Sequence, residues 1–272
     1  MNEVRSNSKT APTSFKNTLR RFIIAIPGGR AILRARAHLV RMPSQYAERR
    51  RLASIGKSEQ VFLHHYETNE WESNESVSGP GSTINYTENI RREIPRLVSK
   101  LAIHTILDAP CGDYNWFKLI KWNNEISYIG GDIVQPLVES NQSSYGNQNV
   151  KFIKIDIMQD VLPTADLWLC RDCLFHLSQH DIMLVIDNFL RSDIRYLLTT
   201  TYSECDENWD IPTGSFRLLN LQLPPYSFCK PITMIDDWIE GHPVRHLALW
   251  DQESLRASLV NNKAYQRAIR QR

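Results

Sequence analysis

The chain has 272 residues, 42% of them hydrophobic and seven of them tryptophan. That is enough apolar material for one full α/β domain with extensions or for two small domains, and too much for a disordered chain. No apolar run approaches the roughly 18–20 residues of a membrane span, since the longest, at 22–26, stops at Pro27-Gly28-Gly29. The net charge of +2 is unevenly spread, because residues 1–57 carry thirteen Lys/Arg against only Glu3 and Glu48 and the remainder is net acidic. A basic arm of this kind can touch an anionic membrane surface, a nucleic acid or the acidic body itself. Its Arg-rich, acid-poor composition also suits an organelle transit peptide, although no cleavage site is legible. Five scattered cysteines without a secretory signal point to reduced thiols and a cytoplasmic protein.

In chain order, residues 1–17 are polar. From about 18 to 57 the pattern is basic and intermittently helical, with breaks at Pro27-Gly28-Gly29 and Pro43. Residues 58–73 read as a short helix with its aromatics facing inward. SGPGS, 78–82, is a turn cluster, after which Ser82 or Thr83 can cap a helix running to Leu101. That helix presents Ile90, Ile94, Leu97, Val98 and Leu101 on one face. Pro95 inside it predicts a kink or an early stop.

From 104 onward strand-like and helix-like patterns alternate. Strands are expected near 104–108, 126–132, 150–155, 165–170, 194–201 and 244–250, and helices at 114–121, 134–145, 178–191 and 252–261. Such alternation predicts a mostly parallel sheet covered on both faces. A long irregular stretch, 203–231, contains Pro212, Pro224, Pro225 and Pro231, and loops of this length are usually lids or binding loops.

Four of these strands deliver a polar group at or near the C-terminal end, where α/β sheets bind ligands. They are ILDAPCGD with Asp108, YIGGDI with Asp132, FIKIDI with Asp156, and DLWLCRDCLFHL with Arg171 and Asp172. The order of these four segments resembles the class I S-adenosylmethionine-dependent methyltransferases. The combination of SGPGST, DAPCGDYNW, CRDCLFHLS, LLTTTY and NLQLPPYSF is further similar to a bacterial group associated with surface-polysaccharide biosynthesis. The resemblance covers 104–202 well and 203–260 loosely. It implies an α/β, Rossmann-like seven-stranded mostly parallel sheet with helices on both faces, plus an N-terminal helical extension. The domain reading is a basic extension over 1–57, a helical cap over 58–102 and the methyltransferase domain over 103–272.

The implied cofactor is S-adenosyl-L-methionine. Asp108, Gly112 and Asp113 would hold its aminoacyl end, with free N–H groups of the turn facing the carboxylate. Asp132 would accept the ribose hydroxyls, and Asp156 the adenine amine. Only Gly112 remains of the glycine-rich loop that relatives carry, with Pro110 where a glycine is usual. Arg171 and Asp172 lie where methyl group and acceptor meet. His176, four residues past Asp172, shares a helical face with it, and a neighbouring carboxylate would raise its basicity for removing an acceptor proton. The competing reading of His176 is a packed histidine beneath the sheet edge, and many such enzymes align their reactants without a dedicated base.

The reaction so implied is O-methylation of a sugar hydroxyl on a glycan or its lipid-linked precursor. Trp209, Phe216, Tyr226 and Phe228 would cover the acceptor, Arg217 would be available for an acidic group, and the basic arm would sit against the inner face of a membrane. The alternatives are a nucleic-acid or protein methyltransferase and a non-catalytic interaction module of the same fold. CxxC at 170–173 lacks a second ligand pair, so no metal is expected. LPPY at 223–226 does not follow the fourth strand, which argues against a DNA-base amine methylase. His64-His65 reads as a helix feature. The acceptor and the oligomeric state are not legible.

Overall fold

Short apolar runs bounded by turn residues leave the backbone little choice but strands whose side chains alternate between two faces. The computed structural model describes residues 29–122 and 125–271. Within them, seven strands form one sheet: β1 (Thr105–Asp108), β2 (Ser127–Asp132), β3 (Val150–Lys154), β4 (Leu167–Cys170), β5 (Tyr196–Thr201), β6 (Thr233–Asp236) and β7 (His246–Asp251), in the order β3-β2-β1-β4-β5-β7-β6. The first five are parallel, and β7 runs antiparallel to both β5 and β6. The six strands expected from the sequence lie within two residues of their predicted bounds. β6 was not expected, because its four residues are too few for a clear alternation.

Neighbouring residues feed opposite cores. Leu107, Trp168 and Leu197 join one buried cluster with Ile186, Phe189 and Trp250. Ile106, Leu169 and Leu198 join the other with Ile90, Ile94 and Phe117. Such two-sided burial is what makes the central strands read as continuous apolar runs.

The chain divides into two units, 1–48 and 49–272. Helix α1 (Gly29–Ile55) begins in the first and continues through Pro43, where the sequence predicts a break. A helix of 27 residues absorbs the loss of one N–H donor. The readings for 1–17 and for the break at Pro27-Gly28, and with them about half of the basic arm, fall outside the described residues. In the second unit come α2 (Ser58–Thr68), α3 (Glu88–Lys100), α4 (Gln135–Tyr145), α5 (Gln179–Arg191), α6 (Gln252–Leu259) and α7 (Lys263–Ile269). Among the described residues, no helix is long and apolar enough to cross a membrane.

Several expectations need correction. α3 begins at Glu88, not at Ser82 or Thr83, because 80–82 form a separate 3-10 turn. The Thr83 hydroxyl donates to the Pro80 carbonyl and accepts from the Tyr86 amide, so it serves the turns ahead of the helix. Pro95 neither stops α3 nor faces water; it lies on the buried side with Ile94 and Val98. The helix predicted at 114–121 shrinks to a 3-10 turn, Phe117–Leu119. Tyr114 sits in the left-handed region at φ 57°, which precludes a helical start there, and its ring packs against Phe117, Tyr128 and Phe152. α7 was missed; Asn262 caps it by accepting from the Ala264 and Tyr265 amides, and the Tyr265 hydroxyl donates to Asp187 at 2.8 Å.

Candidate active site

The strand order changes direction at β1, which has β2 on one side and β4 on the other, and ligands of open α/β sheets bind at such a switch point. A cavity of about 280 Å³ opens there. Asp108, Asp132, Asp156, Arg171 and Asp172 line it from the C-terminal ends of four parallel strands, and Tyr202 from the end of the fifth. The opposite wall comes from before the sheet: Phe62 and Tyr66 of α2, Trp71, and the strap 77–82.

Asp108 ends β1 and is 3% exposed. Burial raises its carboxyl to about 7, against the opposing effects of the Tyr128 hydroxyl, which donates to Oδ2 at 2.8 Å, and of Arg171. A buried acid so poorly compensated is a place for a cation.

The turn that follows bends back on β2. Cys111 donates its amide to the Gly131 carbonyl at 2.8 Å, and Gly112 donates to Asp132 Oδ2 at 3.1 Å. Gly112 has φ 56°, and a Cβ there would lie 2.1 Å from Ser78 Oγ, so neither the turn nor the strap above it tolerates a side chain. Asp132 also accepts from the Val134 amide at 3.0 Å, which fixes its carboxylate at the cavity floor. Burial raises its pKa, and these backbone donors oppose the shift. Asp156 begins the turn after β3, where its oxygens take the Met158 amide and the Gln159 side-chain amide. Apolar Ile133, Ile157 and Met158 border this end of the cavity.

Two of the expected cofactor contacts need correction. The amides of Cys111, Gly112 and Asp113 all have protein partners, Ser78 Oγ serving the third, so they are not free donors for a carboxylate. Asp113 is not part of the cavity wall. Its carboxylate accepts from Ser76 Oγ and the Val77 amide at 3.0 Å and from Ser78 Oγ at 3.3 Å, fastening the strap to the turn.

At the other end, Arg171 is almost fully enclosed. Its Nε and Nη2 make a two-pronged pair with Asp237 at 2.9 Å each, Nη2 also donates to the Gly81 carbonyl at 2.7 Å, and Nη1 lies 3.3 Å from Asp172. Asp172 adopts φ 52° and also pairs with Arg245 at 2.9 Å. Burial would raise its carboxyl, but Arg171 and Arg245 outweigh burial and hold it below the usual range.

Asp172 pairs with two guanidiniums and accepts from the Thr200 hydroxyl, and the expected Asp172–His176 pair on a helical face does not form. Residues 174–176 are a 3-10 turn, and His176 Nδ1 instead meets the Ser215 carbonyl at 2.8 Å. Since a carbonyl can only accept, Nδ1 carries the proton and Nε2 a lone pair. Burial lowers the His176 pKa to about 4, against the opposing effects of the Ser215 contact and Asp172. The imidazole is neutral at pH 7. Trp71 and Phe216 flank it, with ring centroids 5.8 and 5.9 Å away.

The long segment after β5 sends several of its side chains into the core. Arg217, expected to meet an acidic ligand, is buried and donates to the Leu177 carbonyl at 2.6 Å and the Tyr226 hydroxyl at 2.9 Å. Tyr226 and Phe228 are likewise buried away from the cavity, and of the four aromatics predicted to cover an acceptor only Phe216 lines it. The sequence reading also missed Arg245 and Tyr202. Arg245 immediately precedes β7, whose antiparallel course brings its beginning to the edge where the parallel strands end. A search for polar groups after strands cannot find a residue that comes before one.

No protein-family model and no curated protein sequence matches the chain. Among solved structures, a SAM-dependent methyltransferase from Leishmania major is 14% identical, with a TM-score of 0.53 over 71% of this chain and 83% of that one. The chain has a methyltransferase fold. The magnesium protoporphyrin IX methyltransferase of Synechocystis PCC 6803, solved with SAM bound, matches at 13% identity and a TM-score of 0.49 over 72% of this chain and 97% of that one. N-methyltransferase NodS from Bradyrhizobium japonicum WM9 matches at 13% identity and a TM-score of 0.46, over 61% and 96%.

Within this fold, the cavity has a chemistry that suits S-adenosylmethionine. An under-compensated buried acid stands at β1, a carboxylate fixed by two backbone amides at β2, and an apolar slot lies beside the turn after β3. Among the described residues, no group of His, Cys, Asp and Glu is placed to hold a metal ion.

Proposed function

We propose that the chain is an S-adenosylmethionine-dependent methyltransferase acting on a hydroxyl group. The observation that carries this is the convergence of Asp108, Asp132, Asp156, Asp172 and His176 on one cavity at the switch point of the sheet. Asp108 would neutralise the ammonium, Asp132 would accept from the ribose hydroxyls, and the Asp156 turn would face the adenine. When bound, the cofactor supplies a methyl carbon on a sulfonium, whose sulfur keeps the bonding pair on transfer.

At the acceptor end, the fixed tautomer of His176 leaves Nε2 as a base for the proton that the hydroxyl loses. Asp172, held ionised by two arginines, is a hydrogen-bond acceptor that orients this group. The aromatic flanks Trp71 and Phe216 favour a ring-shaped acceptor, and a sugar of a glycan or its lipid-linked precursor is our reading of it. The motif resemblance to polysaccharide-associated enzymes supports that choice. Contact of the basic arm with an anionic membrane remains part of the same proposal.

Calorimetric titration with S-adenosylmethionine tests it. Micromolar binding that disappears in Asp132→Ala is the expected result. Absence of binding to the unaltered protein would overturn the enzyme reading and favour an interaction module, whereas strong salt-sensitive RNA or DNA binding would favour a nucleic-acid substrate.

A further inference from the structure

At the acceptor end, the Arg245 guanidinium interacts with the Tyr202 hydroxyl, yet one of its nitrogens is left without a hydrogen bond of its own. Arg245 is 5% exposed and lines the cavity. Its Nε donates to the Asp237 carbonyl at 2.8 Å, its Nη1 pairs with Asp172 at 2.9 Å, and the Tyr86 ring lies 4.6 Å from the guanidinium carbon. Its Nη2 is buried and has no hydrogen-bond partner. A buried guanidinium N–H without an acceptor is costly to keep unless something completes it.

The neighbouring group is a complementary one. A side chain at Gly81 would come within 2.7 Å of Asp172 Oδ2 and 2.9 Å of Arg245 Nη2, so the two atoms face the same spot beneath the strap. A donor beside a charged acceptor matches a ligand that offers a lone pair and a proton on adjacent atoms, as two neighbouring hydroxyl groups do. The charge of the cavity disfavours an anion there, since four carboxyl groups, Asp108, Asp132, Asp156 and Asp172, line it against the guanidiniums of Arg171 and Arg245. Trp71 and Phe216, which line the same cavity and pack on His176, provide apolar faces for a ring.

We propose that Arg245 Nη2 and Asp172 Oδ2 form the acceptor-recognition subsite, which takes a neutral ring bearing adjacent hydroxyl groups, with Arg245 as the specificity-determining residue. This rests on the methyltransferase reading above. Sugars and catechols share the required chemistry, and the experiment separates them.

Saturation-transfer NMR on the full chain with S-adenosylhomocysteine present would use methyl mannopyranoside and catechol as neutral probes and methyl glucuronoside as the anionic comparator. Arg245→Lys keeps the charge that Asp172 and Asp237 require but cannot reproduce the Nη2 donor. Gly81→Ala keeps both residues and adds no backbone strain, because Gly81 does not use a left-handed backbone, but its methyl group presses on Asp172 Oδ2 and Arg245 Nη2. One neutral probe should bind the unaltered protein, and both variants should weaken it by about tenfold, the effect of one lost hydrogen bond. S-adenosylhomocysteine affinity should stay within about twofold, since neither change touches the cofactor end. Which neutral probe binds identifies a sugar-type or a catechol-type acceptor. Failure of both neutral probes, tighter binding of the glucuronoside, or unchanged affinity in both variants would overturn the subsite while leaving the cofactor reading intact. Failure of S-adenosylhomocysteine itself to bind would sink that reading, and the subsite with it.

Discussion

Asp108 and His176 are displaced from their ordinary protonation behaviour in opposite directions, and each displacement has a measurable consequence. Asp108 is raised to about 7 by burial, so at pH 6 it is mostly protonated. A bound ammonium favours its ionised form, so binding of S-adenosylmethionine at pH 6 should release close to one proton, whereas at pH 8.5, where Asp108 is already ionised and the ligand's α-amino group is largely neutral, binding should take protons up. Calorimetry in buffers of different ionisation enthalpy reads this directly, and equal proton release at both pH values would count against the assignment. The same shift has a stability sign. A group whose folded pKa lies above its unfolded one contributes stability below pH 4 that is lost as pH rises through 7. Asp108→Asn should therefore stabilise the unliganded protein at pH 8, by up to a few kcal/mol, while weakening cofactor binding; thermal unfolding with and without ligand checks both. His176 goes the other way, and being neutral at pH 6–8 it predicts a flat kcat/KM for the acceptor there when the cofactor is saturating, falling only as pH drops through about 4. His176→Ala should lower kcat with a hydroxyl acceptor by about 10²–10⁴-fold and leave cofactor affinity unchanged. A variant as active as the original would mean that alignment alone suffices.

At the scale of elements, the strap before α3 is what the sequence concealed. Its SGPGS turn was legible as a turn, and Asp113 as an acid beside the glycine turn, but nothing in their spacing of more than thirty residues shows that one holds the other. Asp113 takes donors from Ser76, Val77 and Ser78, while Asn115 donates to Glu75 and to the Ser82 carbonyl. Asp113→Ala should cost about 1–3 kcal/mol in denaturant unfolding and increase hydrogen exchange over 76–82, with strands β1 to β5 unaffected. Uniform exchange across the sheet would show that the strap is not separately fastened. Strand and helix positions were read well where periodicity was long, as in β2, β5, α4 and α5. Errors occurred where local signals conflicted: Tyr114 combined helix-compatible surroundings with a left-handed backbone, and Arg217 resembled a free cation until packing enclosed it. Long side chains in irregular segments carry no period from which burial can be inferred.

For the whole molecule, the cavity is walled by parts of the chain far apart in sequence, from Phe62 to Arg245. A ligand that fills it should stabilise the fold as a unit. At a hundredfold excess over Kd, S-adenosylhomocysteine should add roughly 2.7 kcal/mol, a rise of about 5–10 °C in Tm for a domain of this size. A broadened or split transition in place of a single shifted one would indicate that the cap 58–102 unfolds apart from the sheet.

The four polar strand ends, the two-sided apolar runs and the acids Asp108, Asp132 and Asp156 were all present in the linear sequence. Each depends on contacts between near neighbours and on the alternation of a strand, so composition and spacing determined them. The tertiary structure alone decided that Arg245 meets Asp172, that His176 is neutral with its tautomer fixed by Ser215, and that Arg217 belongs to the core. Those facts arise from an antiparallel strand returning to the ligand edge and from loops folding over it. Burial and pairing across some forty to seventy residues, which set charge and protonation, leave no periodic trace in the chain that makes them.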